Sequence, residues 1–253
     1  MHSQPSYTLD KIRFATDHAT FERAVDLYEG GKVKDVKADG VGYSATVVGS
    51  QSYRVYVHAK TYDRGGCDCY LGQKDVLCKH MVALAISVVK NGQPLELEEK
   101  QIQVEPACSG RLGELTAEAL KKTKTHITTA LRYVKTYRGP SRTWFAYQDS
   151  LSEGCRRLSP IVSNIPVSKQ TAGVLVDLLL RLDKKLCEGG VDDSDGTVSG
   201  FMYEVVEVLK EFARLDDRCI DTFSKIVGTK TCCAWDESVI RILDDARSIG
   251  VTS

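Results

Sequence analysis

The chain has 253 residues, with 34 Lys and Arg against 34 Asp and Glu, 42% hydrophobic and 27% charged residues, and nine cysteines. This is globular composition, long enough for one large or two ordinary domains, and the zero net charge excludes a uniformly basic nucleic-acid coat or an acidic tail. Met1 to Tyr7 lacks the basic start and apolar run of a signal peptide, and Asp177 and Arg181 break the longest apolar stretches, so a cytoplasmic protein with no membrane partner is expected.

Thr16 or Asp17 is placed to cap a short helix with apolar positions Phe21, Ala24, Val25 and Tyr28, stopped by Gly30-Gly31. Val33, Val36, Val41, Tyr43, Ala45 and Val47 then recur in short β-type runs. Asp39-Gly40 and Gly49-Ser50-Gln51-Ser52 supply turns before Tyr53 to His58, which predicts an antiparallel meander. Cys78-Lys79-His80 opens an apolar helix, Met81 through Val89, stopped at Asn91-Gly92. Pro94 to Gly110 alternates apolar and charged residues and reads as a strand or linker. The expected division is therefore a first domain over 1–93, a linker over 94–110 and a second domain over 111–253.

From about Leu112 onward helical periods dominate. Leu120, Ile127, Leu131 and Val134 keep one face, Trp144, Tyr147, Leu151, Cys155 and Leu158 another, and Phe201, Val205, Val208, Phe212 and Leu215 a third. Ser168 is an N-cap candidate before Val174 to Leu186, and Trp235, Val239, Ile242, Leu243 and Ala246 line a last helix. About six helices with short connections predict an all-α bundle or short helical array. The run Asp192-Asp193-Ser194-Asp195-Gly196 fails the calcium-loop pattern, because Val191 and Met202 fall at required ligand positions, and it reads as a polar surface loop.

In a reducing compartment an odd cysteine count argues against a disulfide framework, so spacing has to decide what the thiols do. Cys67, Cys69, Cys78 and His80 form Cys-x-Cys, eight residues, then Cys-x-His. Three thiolates and an imidazole are a set that Zn²⁺ accepts tetrahedrally, and four protein ligands leave no position for an activated water. One structural zinc ion is expected, its excess negative charge offset by Lys79, Lys74 and Arg64. Cys155 lies on an apolar face, Cys187, Cys219, Cys232 and Cys233 have no histidine nearby, and Cys232-Cys233 reads as small core or surface thiols, with a redox-active pair or part of a second metal site as the alternative; no phosphate loop, nucleophile elbow or two-histidine metal motif is present, so no enzyme is expected.

At these ligands the sequence resembles the SWIM zinc fingers, whose signature is Cys-x-Cys, a variable loop, then Cys-x-His in a ββα arrangement. Val48 to Val57 is similar to that family's hairpin and Cys78-Lys79-His80-Met81 to its helix start, so the resemblance covers about residues 20–92. It implies a module that binds DNA or other proteins. The fold expected overall is an α+β zinc domain, with a short helix, an antiparallel meander and a ββα finger, followed by the all-α region.

Charge is uneven beneath the neutral total. Residues 101–157 carry ten basic and five acidic groups, while 158–253 carry eleven and sixteen. Lys121, Lys122, Lys124, Arg132, Lys135, Arg138, Arg142, Arg156 and Arg157 interleave with Tyr133, Tyr137, Trp144, Phe145 and Tyr147. Cations neutralise phosphates and exposed aromatics stack on bases, so this segment is the candidate nucleic-acid surface, with Lys79 at the finger. The alternative is that the aromatics are core, as the apolar stripe shared with Leu151 favours for Trp144 and Tyr147, the cations a solvated face, and the chain a protein-interaction adaptor.

Overall fold

Thr8 accepts a hydrogen bond from the Lys11 amide and Asp17 one from the Thr20 amide, so two helices begin where side chains satisfy orphan first-turn N–H groups. These are α1 (Leu9–Ala15) and α2 (His18–Glu29). The chain, a computed structural model describing residues 4–102, 105–140 and 144–250, divides into two compact units, Met1–Ile102 and Gln103–Ser253.

In the first unit the meander forms an antiparallel sheet in chain order, β1 (Val33–Ala38), β2 (Gly42–Val48), β3 (Ser52–His58) and β4 (Gly65–Cys67). The first turn closes because the Asp39 carboxylate accepts from the Val41 and Gly42 amides while Gly40 takes φ 84°. Tyr43, Ala45 and Val47 of β2 and Val55 and Val57 of β3 alternate toward one buried face. Val36 does not join them. The register slips between Lys34 and Lys37, where Asp35 is left-handed, and this irregularity leaves Val36 exposed, as Val41 also is.

Helix α3 (Lys79–Lys90) is buried continuously from His80 to Ile86. A helix with apolar residues all round needs cover on more than one side. Here Met81 and Leu84 pack with the sheet and with Cys67, Cys69 and Cys78, while Val82, Ala83, Ala85 and Ile86 pack with Ile12, Phe21 and Val25 of α1 and α2. Among the described residues of 94–110 no strand forms. Glu96 and Glu99 form a capping box around α4 (Leu97–Lys100), and Leu95 and Ile102 are buried in the first unit's core.

The second unit contains α5 (Ala117–Ala130), α6 (Trp144–Asn164), α7 (Lys169–Cys187), α8 (Thr197–Leu215), a 3₁₀ segment (Asp217–Lys225) and α9 (Glu237–Gly250). One apolar core runs through Ile127, Leu151, Leu158, Leu175, Leu179, Phe212, Phe223 and Trp235. Ser168 caps α7 through the Thr171 amide. The acidic loop serves as a cap too: the two oxygens of Asp193 accept from the Val198 and Ser199 amides at the start of α8, 2.7 and 2.8 Å away.

The cysteine expectation needs correction in this unit. Cys187, the last residue of α7, is joined to Cys232 by a disulfide with Cα atoms 6.0 Å apart. The partners are 45 residues apart in sequence, and only the return of the chain past the end of α7 brings them together. No helix among the described residues is long and apolar enough to cross a membrane.

Candidate metal centre and basic surface

Three short-range events bring Cys67, Cys69, Cys78 and His80 together. Cys67 ends β4, where it pairs with Val55 of β3, and its side chain points into the core. The Asp68 carboxylate accepts from the Arg54 amide at 3.0 Å, continuing the tie to β3 past the strand end. The chain then turns through a 3₁₀ segment, Gly72–Lys74, whose Gly72 amide donates to Cys69 Sγ at 3.4 Å, and left-handed Asp75 redirects it to Cys78. Cys78 is the N-cap residue of α3 and His80 lies in its first turn.

The four ligand atoms lie within 4.8 Å of one another, and the residues are 6, 6, 1 and 5% exposed respectively. His80 Nδ1 is 3.7 Å from Cys67 Sγ and 3.9 Å from Cys78 Sγ. The Cys67 thiol's hydrogen bond to Cys78 lowers the Cys78 pKa, while the same bond, and then burial, raise that of Cys67. Opposed shifts of this kind place the two thiols in direct contact within one buried site. This buried cluster is able to hold a metal ion.

Two further residues shape the centre, and the spacing motif did not name them. Tyr53 stacks on the His80 ring at 4.4 Å between centroids. Gly49 leaves the room that ring needs, because a Cβ there would lie 2.9 Å from His80 Nε2, a buried nitrogen without a hydrogen-bond partner among the described residues. Lys74, expected to offset thiolate charge, sits over the Tyr70 ring at 4.2 Å.

Of the predicted nucleic-acid residues, Lys79 belongs to the first unit and is half-buried at the start of α3. Arg142 lies outside the described residues. Lys121, Lys122, Lys124, Arg132, Lys135 and Arg138 belong to the second unit and are all exposed. Lys121, Lys124 and Arg132 line one shallow groove along α5 with Thr125, Thr128 and Thr129. The threonine hydroxyls bond back to helix carbonyls of Lys121, Lys124 and Thr125, so the groove's long-reaching donors are its cations. Arg181 of α7 joins them, donating to Thr128 Oγ1 at 3.2 Å.

The base-stacking half of that expectation is corrected for Tyr133 and Tyr137, while Tyr147 lies in the core as its place on the apolar stripe with Leu151 implied. Tyr147 is buried, Trp144 donates its indole N–H to Asp192, Tyr137 packs on Tyr147 at 4.6 Å, and Tyr133 lies beneath the Arg157 guanidinium. Of the five rings, Phe145 alone is largely open, at 75%. Arg157 is itself held by the buried carboxylate of Glu153 at 2.7 Å and is no free surface cation. Burial raises the thiol pKa of Cys155 and, to about 11, that of Cys219.

Sequence spacing pointed to Cys232 only beside Cys233 and did not join it to a second cluster, Asp183, Cys187 and Cys232, whose candidate ligand atoms also lie within 4.8 Å of one another. Asp183 and Cys187 are one helical turn apart on α7, but nothing local points to Cys232. No protein-family model matches the chain, and no match was found among curated proteins or solved structures.

Proposed function

We propose that the chain is a non-enzymatic zinc-finger protein of the SWIM type that binds nucleic acid. The burial of three cysteines and one histidine against each other carries the zinc reading. A tetrahedral shell with Zn–S of about 2.3 Å and Zn–N of about 2.0 Å has S···N edges of about 3.5 Å, near the 3.7 and 3.9 Å separations of His80 Nδ1 from Cys67 and Cys78. Cys67, Cys69, Cys78 and His80 would hold the ion, which supplies cross-linking and no catalysis, since four protein ligands close its shell. The order β3, β4, α3 around the cluster supports the resemblance to ββα fingers.

The exposed cations Lys121, Lys124, Arg132 and Arg181 support contact with the phosphate backbone. With most rings committed inside the second unit, the reading narrows from base stacking to charge, which carries little sequence preference. Four phosphate contacts on a duplex correspond to a slope of log K against log salt of about −3.6. Anisotropy titrations with duplex and single-stranded DNA and RNA test this. Combined Lys121→Ala, Lys124→Ala and Arg132→Ala should weaken every duplex equally and flatten the slope by about 2.7. Absence of binding to any of these nucleic acids at low salt refutes the reading.

One observation favours a protein partner instead. The loop between Cys69 and Cys78 exposes Tyr70 at 71%, with Leu71 and Val76 also open, on a segment anchored at both ends by ligands. Apolar side chains on a pinned loop suit a protein groove. Capture of one stoichiometric protein that is insensitive to nuclease and lost on Tyr70→Ser with Leu71→Ser supports this adaptor reading over the first.

A further inference from the structure

We propose that Cys187 and Cys232 form a reversible thiol–disulfide site, oxidised by low-molecular-weight disulfides and reduced by low-molecular-weight thiols, whose state sets the order of residues 226–236. The bond is open to such reagents, since Cys187 is exposed and Cys232 half-buried. Exposed disulfides are the reducible kind, in contrast to bridges sealed in a core.

The surroundings can return the two sulfurs to each other after the bond is cut. Asp183, 4% exposed on α7, accepts from the Cys232 amide and from the Trp235 indole N–H, each at 2.8 Å. Its other oxygen is 3.5 Å from Cys187 Sγ. These bonds return Cys232 to the end of α7 whenever the loosened segment closes, which makes re-formation effectively intramolecular. The segment they tether needs the restraint: Cys233 and Ala234 are consecutive non-glycine residues at φ 62° and 51°, a conformation that side chains disfavour. Cys233 itself is unbridged and exposed.

Reduction proceeds in two exchanges. A thiolate attacks Cys187 Sγ, the S–S bond breaks, and Cys232 leaves as a thiolate that takes a proton from water. A second thiolate attacks the outer sulfur of the mixed disulfide, Cys187 leaves as a thiolate and is protonated, and the reagent departs as its own disulfide. Two electrons pass from two thiols to the bridge, and oxidation is the reverse.

The test uses the full chain with its metal bound, equilibrated in glutathione buffers of graded ratio, then alkylated and mapped by mass spectrometry. A single two-electron transition confined to the Cys187 and Cys232 peptides is expected, with faster hydrogen exchange in 226–236 on reduction. Melting of the second unit should fall by on the order of 10 °C, given the long loop the bridge closes. Cys187→Ser and Cys232→Ser should each show the reduced behaviour in every buffer, and Cys233→Ser should titrate as the parent does. The proposal is overturned if both thiols stay alkylatable in excess glutathione disulfide, if Cys233 proves to be a bridging partner, or if exchange and melting ignore the redox state. A second metal ion retained per chain with both thiols reduced would overturn it equally, by assigning Asp183, Cys187 and Cys232 to coordination.

Discussion

Three glycines around the cluster give a graded test of the metal centre. At Gly72 an added Cβ would fall 2.2 Å from the Cys67 carbonyl oxygen and 2.6 Å from Cys67 Cβ. The first obstacle is backbone, which cannot rotate aside, and the Gly72 amide that donates to Cys69 Sγ would have to move with the loop. At Gly49 the obstacles are the rings of His80, 2.9 Å away, and Tyr53, 3.2 Å away, which can tilt by a few tenths of an ångström. At Gly66, next to Cys67, nothing lies within 4 Å. Disturbing the supports of metal ligands costs about 10- to 100-fold in affinity. Gly49→Ala should therefore lose about tenfold, or roughly 1.4 kcal/mol. Gly72→Ala should lose at least about a hundredfold, and Gly66→Ala should stay within about twofold of the parent. Competition against a chromogenic zinc chelator measures all three, with far-UV circular dichroism confirming that the helices persist. Equal affinities for Gly72→Ala and Gly66→Ala would refute the placement of the metal among these four residues.

Tyr7→Phe should be neutral or stabilise by up to about 1–3 kcal/mol in urea titrations, because the Tyr7 hydroxyl is buried with no hydrogen-bond partner among the described residues. A loss above about 1 kcal/mol would show that the hydroxyl is satisfied. Glu99 has its pKa lowered by hydrogen bonds from Lys90 Nζ and from the Glu96 amide. A depressed carboxylate contributes stability that is present above its unfolded value and is lost as pH falls through the folded one. The advantage of the parent over Glu99→Gln should thus be full at neutral pH and vanish in acid below the usual carboxylate range. A difference that does not change with pH would remove the Lys90 pair as its source.

What was legible in the sequence is what short spacings determine. The four ligands span fourteen residues, and the turns, caps and hairpin that gather them are encoded beside them, at Asp39-Gly40, Gly49 to Ser52 and Cys78 to His80. The misreadings share the opposite character. Leu95-Glu96-Leu97-Glu98 alternates like a strand, yet the reciprocal bonds of Glu96 and Glu99 turn the backbone into α4, and hydropathy alone cannot separate the two. Helix α1 offers only Leu9, Ile12 and Phe14 as buried positions over seven residues, too few to establish a period. Val36 lies three residues after Val33, off the two-residue period, and beside the slip at Asp35 it is left exposed. Arg157 counts toward segment charge as Arg132 does, and Glu153 four residues earlier was the available sign that its charge is spent internally. Counting formal charge by segment therefore overstates the field a partner meets, and helical i, i+4 acid partners should be subtracted first. Applied to α5, the correction removes nothing from Lys121 or Lys124, because Ala117 and Leu120 precede them by four and Thr125 and Thr128 follow. Those two lysines therefore have no helical acid partner at that spacing, unlike Arg157, and are where loss of nucleic-acid affinity should first be sought.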